Sequence, residues 1–188
     1  MGKAWIGILL GMLMAVRAMP AQPTDDEILA EYAKAKEASW WFVMGTAPIE
    51  WSDQVEADGY IYHRLTGFET YDEYMDYLGG LFSDELIDGW NTLQFTEDSM
   101  VSRYIEVDGK AYGIDMARGA DIGMGRESCT VIRESPAKYT LRVTVELLDY
   151  SIPGNMDATG EVIGYEDFDF PYEYVDGDWI FTDFPPIR

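Results

Sequence analysis

One histidine, one cysteine and 13 basic side chains in 188 residues leave this sequence short of the groups from which most reactive and metal-binding sites are made. With Cys129 alone, no disulfide can form within the chain. His63, also alone and far from Cys129 in sequence, cannot build a zinc site. No glycine loop ending in Lys-Ser or Lys-Thr cradles a phosphate, so nucleotide binding has no support. No nucleophile elbow or local base marks a serine or Cys129 as an attacking group, and a Cys/His hydrolase would have to be assembled by geometry alone. The shortage of bases is set against 35 acids, giving a net charge of -22. That charge repels nucleic-acid backbones and anionic lipid, and it steers cationic proteins or cationic wall components inward.

What the chain does have is apolar: hydrophobic residues make up 47% and aromatic residues 14%, which argues for a packed globule over an acidic disordered chain. Lys3 precedes the apolar run Ala4 to Val16, which meets Arg17. The run is shorter than the roughly 20 residues that span a bilayer, and it has the length of a signal-peptide core. Residues 1–22 are therefore expected to be a signal peptide or N-terminal anchor, and 23–188 a single domain. No cysteine follows the run to carry a lipid. Removing the leader takes away Lys3 and Arg17 and leaves 11 bases against 35 acids, a net charge of -24. The expected product is an exported monomer that touches membrane only through its leader.

Thr24-Asp25-Asp26-Glu27 and Thr70-Tyr71-Asp72-Glu73 are capping boxes, each opening a helix. The first carries Ile28, Leu29, Tyr32, Ala35, Ser39, Trp40, Phe42 and Val43 at helical spacing and ends at Gly45, with Trp40-Trp41-Phe42 as a core anchor. The second carries Tyr71, Tyr74, Met75 and Leu78, and a third, short helix starts at Ser83. Gly45 to Gly59 has no period and is expected to be a loop. Tyr60 to Leu65 is a strand that places Tyr60, Tyr62 and Arg64 on one face and His63 on the other with Ile61 and Leu65.

From Leu93 the pattern turns to strands. Val101 to Val107 and Lys110 to Ile114 flank an Asp108-Gly109 turn, and Val175-Asp176-Gly177 repeats that turn near the end. Ser128 to Glu134 and Tyr139 to Leu148 flank Ser135-Pro136-Ala137-Lys138. Within the second of these, Leu141, Val143, Val145 and Leu147 alternate with polar residues, so one face is buried and one is wet. Cys129, in the β-branched run Cys129-Thr130-Val131-Ile132, is expected to be a small buried hydrophobe. Helices first and an antiparallel meander afterwards is the order of an α+β domain, with N-terminal helices packed on a curved antiparallel sheet.

The stretch from Met116 to Glu127 stands apart. Met116, Arg118, Gly119, Asp121, Ile122, Gly123, Met124 and Arg126 mix glycine, apolar residues and two arginines in an acidic protein. Glycines this dense prevent a regular element and allow close approach of the backbone to another surface. It reads either as a surface loop with a local Arg118–Asp121 pair or as an exposed plug entering a partner's cleft. A ligand pocket drawing on His63, Arg64, Tyr62 and Trp40 is the alternative site. Asn155, Asp157, Thr159 and Glu166 match the oxygen positions of a calcium loop, with Asn where the motif has Asp, and an ordinary Asn/Asp/Gly turn explains them as well. Asp167 and Asp169 are spaced like a carboxylate pair, but on a solvated strand face.

Taken together, the leader, the helix ending in Ser39-Trp40-Trp41-Phe42-Val43-Met44-Gly45, Tyr60 to Gly67 before the capped helix, the hairpin from Ile105 to Tyr112 and the ending Val175-Asp176-Gly177-Asp178-Trp179 resemble the IseA-type DL-endopeptidase inhibitors. The resemblance implies a cystatin-like α+β fold, related in architecture to nuclear-transport-factor-like domains. It also implies no catalysis and no cofactor. The implied partner is a bacterial cell-wall hydrolase of the NlpC type, blocked when a strand-connecting loop plugs its cleft, and that role would fall on Met116 to Glu127. An acidic inhibitor suits a basic wall enzyme.

Overall fold

The computed structural model describes residues 21–43, 45–96, 99–116, 123–151 and 159–187. Residues 1–20 of the expected leader, 1–22, lie outside them. So do Arg118, Gly119, Asp121 and Ile122 of the proposed plug and Asn155 and Asp157 of the calcium-like loop.

The chain is an α+β protein. Helix α1 (Asp25–Val43) begins where its capping box requires: the Thr24 amide donates to Glu27 Oε2 at 2.8 Å and the Glu27 amide returns to Thr24 Oγ1 at 3.3 Å. Ile28, Tyr32, Ala35, Ala38, Ser39 and Phe42 form its buried stripe. Trp40 departs from the expected anchor. It lies one position off that stripe and is exposed, its ring beside Lys36 Nζ, while Trp41 packs among Phe68, Tyr74 and Tyr77. Helix α2 (Tyr71–Gly79) is capped by Thr70, whose hydroxyl accepts from the Glu73 amide at 3.1 Å; Glu73 in turn accepts from the Glu69 amide. Helix α3 (Asp84–Asn91) follows.

The strands are β1 (Ile49–Ala57), β2 (Tyr60–Leu65), β3 (Thr92–Thr96), β4 (Ser99–Ser102), β5 (Tyr104–Val107), β6 (Lys110–Gly113), β7 (Met124–Ser135), β8 (Lys138–Leu148), β9 (Val162–Val175) and β10 (Asp178–Phe181). In place of one curved meander they make antiparallel sheets in the orders β1-β2-β6-β5, β10-β9-β8-β7 and β3-β4. The division falls at Arg103. Its amide donates to Asn91 O and its guanidinium to Gly45 O, and this buried link separates β4 from β5 where the alternation from Val101 to Val107 suggested one strand. The segment expected as a loop before Gly59 is strand β1, paired with β2 through a third aspartate–glycine turn, Asp58-Gly59, both at positive φ. Its period is hidden by an irregularity: Glu50 pairs with Arg64 but Gln54 with His63, so residues 51–53 bulge out.

The main core joins α1, α2 and α3 to the inner face of the long sheet, where Leu141, Val143, Val145 and Phe170 are sealed. Pro171 interrupts β9 without loss. Its carbonyl, and hence its nitrogen, points to the β10 side, where Thr182 N reaches it just beyond the end of β10. Cys129 is exposed, against expectation, because β7 is the outermost strand of its sheet.

Candidate functional site

The register of the long sheet brings the two loops singled out in the sequence to one end. Met124, which opens β7, pairs with Leu147, and Leu148, which closes β8, pairs with Val162 at the start of β9. The described flanks of those two loops, Gly123 and Glu161, therefore lie on either side of the end of β8. Leu148 N donates to Gly123 O at 2.8 Å and Asp149 N to Glu161 O at 3.0 Å, so the flanks of both are stitched to β8.

Asp149 holds the second flank. Its carboxylate accepts from Thr159 N at 2.6 Å, Thr159 Oγ1 at 3.0 Å and Gly160 N at 2.7 Å, and the Thr159 amide foremost holds its pKa below the ordinary range. Gly160 has φ +78 beneath the Tyr150 ring, where a Cβ would lie 3.0 Å from a ring carbon. On the first flank, a Cβ on Gly125 would lie 2.9 Å from Glu146 Cβ, so glycine permits the close crossing. Arg126 N donates to Glu146 Oε2. Between the flanks runs a shallow groove lined by Gly125, Arg126, Glu146, Leu148, Gly160 and Val162.

The groove is bordered by apolar surface. Tyr150, Val162 and Ile163 are exposed and Tyr165 is 67% exposed. Val162, Ile163 and Tyr165 lie on the half of β9 that β10, pairing only with Tyr172 to Val175, leaves without a neighbour, and Tyr150 lies in the turn after β8. Sequence reading placed Val162, Ile163 and Tyr165 in the first strand of a final hairpin, Glu161 to Val175, and Tyr150 in the loop before it; only the shortness of β10 could have marked the strand residues.

Of the described plug residues, Met116 and Met124 are anchors. Met116 packs against the Tyr62, Val101, Tyr112 and Ile114 cluster and Met124 against the main core. Gly123 is buried and Arg126 is exposed. Glu127 already belongs to β7 and faces α1, taking Lys36 Nζ and the Tyr32 hydroxyl; burial first and then the Glu127 charge push the Tyr32 pKa up.

The chain significantly matches no family model and no curated protein.

The alternative pocket residues are dispersed. His63 and Arg64 point to opposite faces of β2, with Tyr62 on the Arg64 side. The Arg64 guanidinium is spent on the carbonyls of Ala111, Phe68 and Glu69. Trp40 lines a crevice between α1 and the C-terminal segment with Tyr32, Phe170 and Phe184, none of the other three among its walls. What His63 does meet is Trp51, a residue the sequence reading passed over: from the β1 bulge its 62% exposed ring lies 4.9 Å from the imidazole, whose buried Nδ1 has no hydrogen-bond partner among the described residues. Of the calcium-like set, the Thr159 hydroxyl binds Asp149, and Glu166 lies within β9 opposite Val145. On the outer face of β9, Asp169 holds Arg142 through two 2.7 Å bonds and Asp167 accepts from Thr144, both exposed.

Proposed function

We propose that this chain is a secreted, non-enzymatic inhibitor of peptidoglycan DL-endopeptidases, in which the loop end of the long sheet enters the cleft of an NlpC-type cysteine peptidase from a cystatin-like scaffold. The observation that carries the reading is the exposed row of Tyr150, Val162, Ile163 and Tyr165 beside the flanks of two loops. A cluster of apolar and aromatic surface at the loop end of a protein of net charge -22 is what a protein partner, and not solvent, rewards. The resemblance in the sequence supplies the partner class, and the acidic charge supplies the approach to a basic enzyme.

The test is binding and inhibition of a purified NlpC-type peptidase. Deleting residues 118–125 should abolish inhibition, and added salt should slow association; inhibition that survives the deletion removes the plug from the account. A second reading, a small-ligand module, rests on the unpartnered His63 Nδ1 beneath Trp51. It requires a ligand that quenches tryptophan emission in the native protein and not in W51F. The calcium form of that reading requires a thermal shift with calcium that chelator reverses.

A further inference from the structure

Strand β7 ends the long sheet, and among the described residues nothing pairs with the outer backbone edge of Met124–Ser135. Edge strands of soluble proteins are ordinarily blunted by lysine, proline, shortness or a central bulge. This one spans 12 residues, contains neither lysine nor proline, and is irregular only at its two ends, between Met124 and Glu127 and between Arg133 and Ser135. The regular ladder from Glu127 to Arg133 has Thr130 at its midpoint.

The charges share that midpoint. The strand reads Arg126-Glu127-Ser128-Cys129-Thr130-Val131-Ile132-Arg133-Glu134. When two copies run antiparallel about a two-fold axis at Thr130, Arg126 lies opposite Glu134, and Glu127, held within its own copy by Lys36, lies opposite Arg133, held by Asp25; symmetry repeats both pairs. Facing residues in an antiparallel ladder must share both pleat and hydrogen-bonding direction, so allowed registers centre on a residue. Centred on Cys129, Arg126 meets Ile132 and Glu127 meets Val131; centred on Val131, Arg126 meets Pro136 and Glu127 meets Ser135. The Thr130 register alone of these three pairs the charges. It also sets Thr130 against Thr130, a favourable cross-strand pair. The strand itself is neutral in a chain of net charge -22, so it is where two acidic copies can approach.

We infer that a second copy of this chain docks on β7, antiparallel and centred on Thr130, continuing each four-stranded sheet into one of eight strands. The contact is isologous and closes at two copies. It departs from the monomer expected from sequence, and it stands independently of the loop-end proposal. Cys129 faces Val131 of the other copy, so its thiols stay apart along the ladder. Partial desolvation of the sulfur, with the Glu127 charge, raises the Cys129 pKa.

Sedimentation of the whole protein in moderate salt, which screens the net repulsion more than it screens contacting pairs, should show a monomer–dimer equilibrium across micromolar to millimolar concentrations. R126E turns two symmetry-related attractions into repulsions and should weaken the dimer by roughly tenfold; R126E/E134R should restore it. Register is read by oxidation. C129S/T130C brings two thiols within disulfide range and should cross-link, whereas C129S/S128C should not. A single species at every concentration, a dimer indifferent to R126E, or cross-linking that favours S128C would each overturn the inference. Equal thermal midpoints for the variants separate these outcomes from misfolding.

Discussion

The two ends of the long sheet are built differently from the same strands. At the turn end, β7 meets β8 through Pro136-Ala137 and β9 meets β10 through Asp176-Gly177, and the neighbouring aromatic and charged side chains pack and pair with one another. Trp179 stacks against Tyr139 and Tyr172, Lys138 pairs with Glu173 at 3.0 Å, Arg133 reaches Asp25, and Trp179 Nε1 donates to Ala21 O. At the loop end, β10 is gone, Tyr150, Val162, Ile163 and Tyr165 face outward, and the backbone is tied by Asp149 and a few amides. One end spends its aromatic residues on cohesion; the other leaves them available to another surface. A sheet can do both because its strands transmit position along their length while each end is packed separately.

The sharpest way to break that contrast is to truncate an aromatic ring at each end. Phe181, fully buried against Tyr32, Tyr172 and Phe184, should cost about 3–5 kcal/mol as F181A in urea unfolding. Y165A should change stability by no more than about 0.5 kcal/mol, as expected for an exposed site. Comparable losses from the two would mean that the loop end is structural. Binding reverses the order: on the proposed reading, I163A/Y165A should weaken a peptidase complex by roughly tenfold or more at unchanged stability, measured by calorimetry, whereas a Trp179 substitution that still folds should leave affinity intact.

How far the sequence carried this contrast depended on how local each cause was. The Thr24 and Thr70 caps and the turns at Asp108-Gly109 and Asp176-Gly177 involve atoms within a few residues and stood out in the sequence. Strand β1 did not, since the bulge at 51–53 erases its period and its stability comes from β2. The break at Arg103 was hidden too, being made by Asn91 and Gly45 from elsewhere in the chain. Hydrophobic runs say that a residue belongs to a sheet but not which strand lies at its border. For that reason Cys129 was expected inside, and nothing singled out Val162 and Ile163. The plug stretch was visible by composition, yet the anchoring of Met116 and Met124 on separate cores required both sheets.

The smallest effect concerns how the loop end is held closed. The Asp149 carboxyl titrates below the ordinary value of 3.8 because the charged form accepts from the Thr159 and Gly160 amides and the Thr159 hydroxyl. A depressed carboxyl contributes fully above its unfolded value and loses that contribution as pH falls through the folded one. Acidification below about 4 should therefore release Thr159 and Gly160 while the core remains closed. In hydrogen exchange, corrected for intrinsic rates, protection of these two amides should fall at low pH with the global unfolding midpoint little changed. D149N should show the low protection already at neutral pH and lose the pH dependence. Were protection there to follow the global midpoint instead, the two ends would unfold as one unit, and a loop end poised to rearrange on a partner would lose its physical basis.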